Sequence, residues 1–167
     1  MLLGARLTDP KDAQAKNVSA IEPRIRTGVL LAPPGRGDGL SDFAKENFSE
    51  LNPDYSQLKA PTLVIVGDDD VNPFITVRGP EWYRAAFEDA PGATHLITLS
   101  GGRHGLGGVA GYAAKETSDE DPDRLAVVQR ATAAFLLSQL YRDDPNWQCI
   151  VDGLQSKDNG LAKIETK

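Results

Sequence analysis

Pro61-Thr62-Leu63-Val64-Ile65-Val66-Gly67-Asp68-Asp69-Asp70 is an apolar, β-branched run bounded by proline and glycine and followed at once by three acids. β-Branched side chains crowd a helix and fit a pleated strand, so the run predicts a β-strand ending at Gly67. It carries no polar alternation. A strand that is apolar on every residue suits a parallel sheet covered on both faces.

Two further runs match it on either side. Upstream, Thr27-Gly28-Val29-Leu30-Leu31-Ala32 is stopped by Pro33-Pro34-Gly35, and downstream Thr94 to Leu99 leads into the glycine-rich loop Gly101 to Gly108. Helical patterns lie between and after them. Leu40 to Leu51 is a candidate helix, and Pro80 to Ala90 carries Trp82, Tyr83, Ala86 and Phe87 at helical spacing before Pro91-Gly92 ends it. There Trp82 and Tyr83 read as helix-packing residues. Asp121 as N-cap with Pro122 at the first helical position opens the last strong helix, with Leu125, Val128, Ala131 and Phe135 on its buried face. Strands alternating with helices predict an α/β fold, a parallel sheet of about three strands with flanking helices and right-handed crossovers. Residues 1–147 are expected to form this domain, and 148–167 a peripheral tail. Thr8 to Pro23 reads as a connecting loop, and Met1 to Leu7 as the end of an amphipathic helix.

The 167 residues suffice for one compact domain. With 18 basic and 24 acidic side chains the net charge is −6, which argues against nucleic-acid binding. No segment is a basic amphipathic membrane anchor or an apolar bilayer span. The single cysteine, Cys149, allows no internal disulfide and leaves the compartment open, with a reducing cytoplasm favoured.

In a parallel α/β sheet, ligands and reactive groups gather beyond the carboxyl ends of the strands. Two polar clusters sit there: Asp68-Asp69-Asp70, and His104 in the loop after the next strand. Neighbouring strands would bring an aspartate and a histidine to one edge. A histidine acting as general base presents one ring nitrogen to a nucleophile while a carboxylate holds the other as N–H. His95 and His104 are too few for a zinc site, and the glycine-rich loop lacks a phosphate-binding pattern, so no cofactor or metal is expected. Arg36-Gly37-Asp38 spells an adhesion tripeptide, and Asn17-Val18-Ser19 and Asn47-Phe48-Ser49 match glycosylation sequons; such triplets are common by chance.

The strand and acid turn of residues 61–70, together with Ser100-Gly101-Gly102-Arg103-His104-Gly105, resemble the α/β-hydrolases, and Gly102 to Trp147 is similar to the dienelactone-hydrolase and chlorophyllase-like bacterial group. The resemblance covers about residues 25–147. It implies Asp70, the third residue after the strand-ending glycine, as catalytic acid, with Asp68 and Asp69 as fallbacks, and His104 as catalytic base. The implied substrate is a small-molecule carboxylic ester or lactone. The family order is serine, acid, histidine, with the serine in a G-x-S-x-G elbow, and no G-x-S-x-G occurs in this chain. The expectation is a sequence that opens inside the helix after the elbow, with the nucleophile upstream and the chain inactive alone. The strand Gly28 to Ala32 would then keep an open edge prone to self-association. Two alternatives stand beside this one: a non-catalytic interaction module using that edge, and a receiver-like domain using the aspartates.

Overall fold

The computed structural model describes residues 2–7, 11, 20–111, 119–141, 144–156 and 160–167. Most of the Thr8–Pro23 loop, with Asn17, lies outside them. The fold is α/β. Four strands form an open sheet in the order β2 (Gly28–Leu31), β4 (Thr62–Gly67), β5 (Ala93–Leu99), β6 (Ala162–Thr166); β1 (Arg6–Leu7) and β3 (Pro53–Asp54) make a separate antiparallel pair. β2 and β5 both run parallel to β4, and β6 runs antiparallel to β5.

The sheet is built around β4, whose six residues are all buried. Successive strand side chains point to opposite faces, so burial of all six requires cover on both. α2 (Ala85–Asp89) packs on β4 and β5, α3 (Pro122–Leu140) on β2 and β4, and α4 (Asn146–Gln155) on α3 and β6. Asp121 caps α3 by accepting from the backbone N–H groups of Asp123 and Arg124 at 3.0 and 2.9 Å. On the buried side of α3, Phe135 meets Trp147 of α4 edge-on at 5.1 Å, and both rings meet His95 of β5. No helix among the described residues is long and apolar enough to cross a membrane.

Several sequence expectations are corrected. The sheet has four strands, not about three. The fourth comes from the segment 148–167 expected to be a peripheral tail, where Ala162, Ile164 and the intervening Lys163 and Glu165 follow the period-two pattern of an edge strand. Arg84 pairs with Glu165 at 2.8 Å, and Lys167 donates to the last carbonyls of α2, including Glu88 at 3.2 Å and Ala90 at 3.3 Å. The end of the chain is thus held against the segment 84–90.

Residues 2–7 are a turn and the short strand β1, not helix. Gly4 adopts φ +119°, a conformation no helix contains, and a Cβ there would meet the Gln57 carbonyl oxygen at 2.3 Å. The candidate helix Leu40–Leu51 shortens to α1 (Asp42–Asn47), opened by Ser41, whose hydroxyl accepts from the Ala44 N–H. The helix expected from Pro80 begins as a 3-10 turn, Gly79–Arg84, before α2. Pulling on that turn is Trp82, whose indole N–H donates to the Arg36 carbonyl at 2.8 Å.

Candidate active site

β4 and β5 lie side by side in parallel, so the acid turn and the histidine loop leave the sheet together at its carboxyl edge. Their backbones touch. A Cβ on Gly67 would stand 2.0 Å from the Gly102 carbonyl oxygen, and one on Gly102 would stand 3.3 Å from the Gly67 Cα. Only a glycine at position 67 allows this approach. Gly67→Ala is therefore expected to push the two loops apart, cost roughly 1–3 kcal/mol, and perturb the His104 resonances in an NMR spectrum. A variant with unchanged stability and unchanged His104 signals would contradict the close approach.

The three acids divide their work. The Asp68 carboxylate accepts from the Gly101 N–H at 2.6 Å, and its own N–H donates to the Leu99 carbonyl. Asp69 extends the contact through its N–H to the Gly102 carbonyl and pairs its carboxylate with Arg103 Nε at 3.0 Å. Both are exposed. Asp70 turns inward, is 2% exposed, and places Oδ2 2.9 Å from His104 Nδ1. Asp68 and Asp69 thus pin the loop that presents His104, and Asp70 engages the ring.

A carboxylate can only accept, so the neutral imidazole carries its proton on Nδ1 and its lone pair on Nε2. The hydrogen bond to Asp70 raises the His104 pKa above its ordinary 6.5, opposed by partial burial and aided by the charges of Asp70 and Asp119. The sign for stability follows. A raised folded value means that the charged pair stabilises the fold fully below pH 6.5 and stops doing so as pH rises through the folded value. Asp70→Asn is expected to lower the His104 midpoint and remove that contribution. An NMR titration that leaves the midpoint in place would overturn the assignment. His95 shifts oppositely, because burial against Phe135 and Trp147 disfavours its charged form.

His104 borders two clefts. One, of about 360 Å³, is polar and lined by Asp69, Asp70, Asn72 and Arg103 among others. The second, of about 250 Å³, is mostly apolar, with Ala32, Pro34, Leu51, Ile75, Trp82 and Tyr83 around the ring. Ala32, the residue directly after β2, has φ +41°, a left-handed conformation at the wall of this cleft. Trp82 and Tyr83 are buried as helix-packing residues would be, yet they also form pocket wall. The Tyr83 ring lies 5.6 Å from that of His104. Reading the segment 80–90 by helical spacing alone hides this, because the 3-10 turn rotates Tyr83 toward the strand ends. Among the described residues, no serine, threonine or cysteine lines either cleft.

The remaining motifs are occupied elsewhere. Arg36 pairs with Asp89 and Glu88 at 2.6 and 2.8 Å, and Asp38 with Arg78 at 2.8 Å, so the Arg36-Gly37-Asp38 side chains are engaged within the chain. Asn47 donates to the Phe43 carbonyl at the end of α1. Among the described residues no three His, Cys, Asp or Glu side chains are grouped to hold a metal ion.

Comparison with protein-family models, with curated proteins and with solved structures finds no match to this chain. The fold and site define an α/β protein with an Asp–His pair at the carboxyl edge of a mostly parallel sheet.

Proposed function

We propose that this chain supplies the acid and the general base of a serine hydrolase acting on carboxylic esters or lactones, as the C-terminal part of an α/β-hydrolase. The observation that carries the reading is the buried Asp70 carboxylate at 2.9 Å from Nδ1 of a histidine whose ring borders an apolar cleft. The charge pattern is the one such a reaction needs. Asp70 holds Nδ1–H, leaving the Nε2 lone pair to take the proton of a serine hydroxyl as its oxygen attacks the ester carbonyl. The imidazolium formed is stabilised by Asp70 and returns its proton to the departing alkoxide. Water, deprotonated by the same nitrogen, then releases the acid from the acyl-serine.

In this reading the serine comes from sequence upstream of Met1, since no serine, threonine or cysteine lines either cleft beside His104 among the described residues. The edge of β2 fits the same reading. It has no strand neighbour among the described residues, and Leu31 is 38% exposed, where a serine-bearing strand would pair. The test is a p-nitrophenyl ester assay on the 167-residue chain beside a version extended upstream through the reading frame. Hydrolysis by the extended protein alone is the expected result. Turnover by the short chain would mean a nucleophile within it and overturn the split. An upstream stop codon would favour the interaction-module alternative.

A further inference from the structure

His104 stands inside a turn closed by the Leu106 N–H on the Arg103 carbonyl at 2.9 Å. Leu106 and Gly107 then have φ of +49° and +84°. A left-handed backbone is unfavourable for leucine and persists only where the surroundings over-determine it. Two contacts do so. The Leu106 side chain is fully buried, and one carboxylate oxygen, Asp119 Oδ2, accepts from the N–H groups of Arg103 at 2.8 Å and Gly107 at 3.3 Å. Those two amides bracket both His104 and the left-handed leucine.

Asp119 is itself tied to the start of α3. Two residues on, Asp121 caps that helix, and its N–H donates to the Gly107 carbonyl at 3.1 Å. Arg124 joins the Asp121 carboxylate, at 2.8 Å, to the Ser100 carbonyl, at 2.7 Å. A Cβ on Gly107 would meet the Asp121 carbonyl oxygen and the Leu125 nitrogen, both at 2.8 Å, so the loop lies directly on the first turn of α3. The helix is a fixed base from which Asp119 grips the histidine loop.

We propose that Asp119 is a positioning residue for His104: its carboxylate clasps the backbone on both sides of the histidine and so holds the ring in register with Asp70. The inference deepens the hydrolase reading and rests on it for its functional meaning. The second oxygen of Asp119, Oδ1, is enclosed and accepts no hydrogen bond among the described residues, so no donor offsets its charge there. That charge favours the imidazolium, in the same sense as the Asp70 carboxylate. Clasp and charge are separable, because an asparagine keeps an accepting oxygen and loses the charge.

The other groups around His104 are Asp70 on Nδ1 at 2.9 Å, the Tyr83 ring at 5.6 Å, and the Asp69–Arg103 ion pair in the polar cleft. Asp68 accepts from the Gly101 N–H, and Arg124 is engaged by Asp121 and Ser100. Among the described residues no other group accepts from the amides of Arg103 and Gly107. A change confined to Asp119 therefore reads the proposed clasp alone.

The experiment is a nitrogen-15 NMR titration of His104 in the 167-residue chain, which requires no ester turnover, read beside amide hydrogen exchange at Arg103 and Gly107. Asp119→Ala removes clasp and charge together. It is expected to speed exchange at both amides by about tenfold, lower the His104 midpoint by roughly one pH unit and mix the ring tautomers. Asp119→Asn is expected to keep both amides slow and the Nδ1–H tautomer intact, lowering the midpoint by only about 0.3. Phe135→Leu, which loosens the α3–α4 cluster instead, is expected to leave the His104 midpoint and tautomer in place. In the extended protein, Asp119→Ala is expected to lower kcat by about tenfold at unchanged KM, and Asp119→Asn to recover most of it. An Asp119→Ala chain with His104 midpoint and tautomer unmoved would overturn the proposal, as would Asp119→Asn losses equal to those of Asp119→Ala. If the extended protein proves inactive while these shifts appear, the hydrolase reading fails and the anchoring of His104 by Asp119 stands.

Discussion

His104→Ala and Asp70→Asn, each made in the upstream-extended protein, are expected to lower kcat for ester hydrolysis by about 10⁴-fold while leaving the fold intact. The two losses have different causes. Without His104 no base stands at the mouth of the apolar cleft, and the serine hydroxyl must lose its proton to water. In Asp70→Asn the ring remains, but the amide at 2.9 Å can donate where the carboxylate could only accept. The neutral imidazole is then free to place its proton on Nε2, facing the nucleophile with a donor. The charge that stabilised the imidazolium is lost as well. Because both residues serve one proton transfer, the double variant is expected to be scarcely slower than either single one. Asp69→Asn is the control. It touches Arg103 at the surface and is expected to change the rate by less than tenfold. Steady-state kinetics at saturating substrate decide the matter, and an Asp69→Asn loss equal to that of Asp70→Asn would refute the division among the three acids.

Phe135→Ala is expected to cost about 3–5 kcal/mol, the largest stability loss of any single truncation considered. The ring is fully buried on α3 and closes an edge-to-face cluster with Trp147 at 5.1 Å and His95 at 6.0 Å. Removing it deletes the apolar transfer term and leaves a cavity between two helices and the sheet. The backbone around it is fixed by β5 pairing on both edges, so the cavity cannot readily close. Against a total stability of about 5–15 kcal/mol for a domain, this loss lowers the thermal midpoint by roughly 10 °C. Phe135→Leu retains much of the volume and is expected to lose less than half as much. Thermal or urea unfolding of the two variants measures the difference, and equal stabilities would show that the cluster contributes little. His95 gives a second readout. Opening its surroundings should return its midpoint toward 6.5, since burial is what lowers it.

The elements legible along the chain were those whose signal is local. Residues 61–67 form a strand because β-branched apolar residues do so wherever two faces can be covered, and Asp121-Pro122 opens a helix because capping involves only the next few residues. The likeness of two strand ends carrying an acid and a histidine was equally readable, since parallel strands always deliver their carboxyl ends to one edge. Tyr83 and β6 were hidden for different reasons. Helical spacing in 80–90 is the same for a 3-10 turn that feeds a helix and for a helix throughout, but the two send Tyr83 in different directions. In the tail, Ala162 to Thr166 does alternate, yet five residues of mixed charge become a strand only when a neighbouring edge supplies the hydrogen bonds.

Composition and local pattern by themselves determined an acidic α/β domain with its parallel strands, its principal helix and the neighbourhood of Asp68-Asp69-Asp70 to His104. Composition and local pattern do not separate the three aspartates; Asp70 stands out along the chain only through the family resemblance, and the packed structure is what puts its carboxylate on the histidine. Three consecutive acids are chemically alike along the chain, and the contact of Gly67 with Gly102 leaves Asp68 and Asp69 at the loop surface while turning Asp70 inward beneath the ring. Burial, a property of the packed whole, is what distinguishes them.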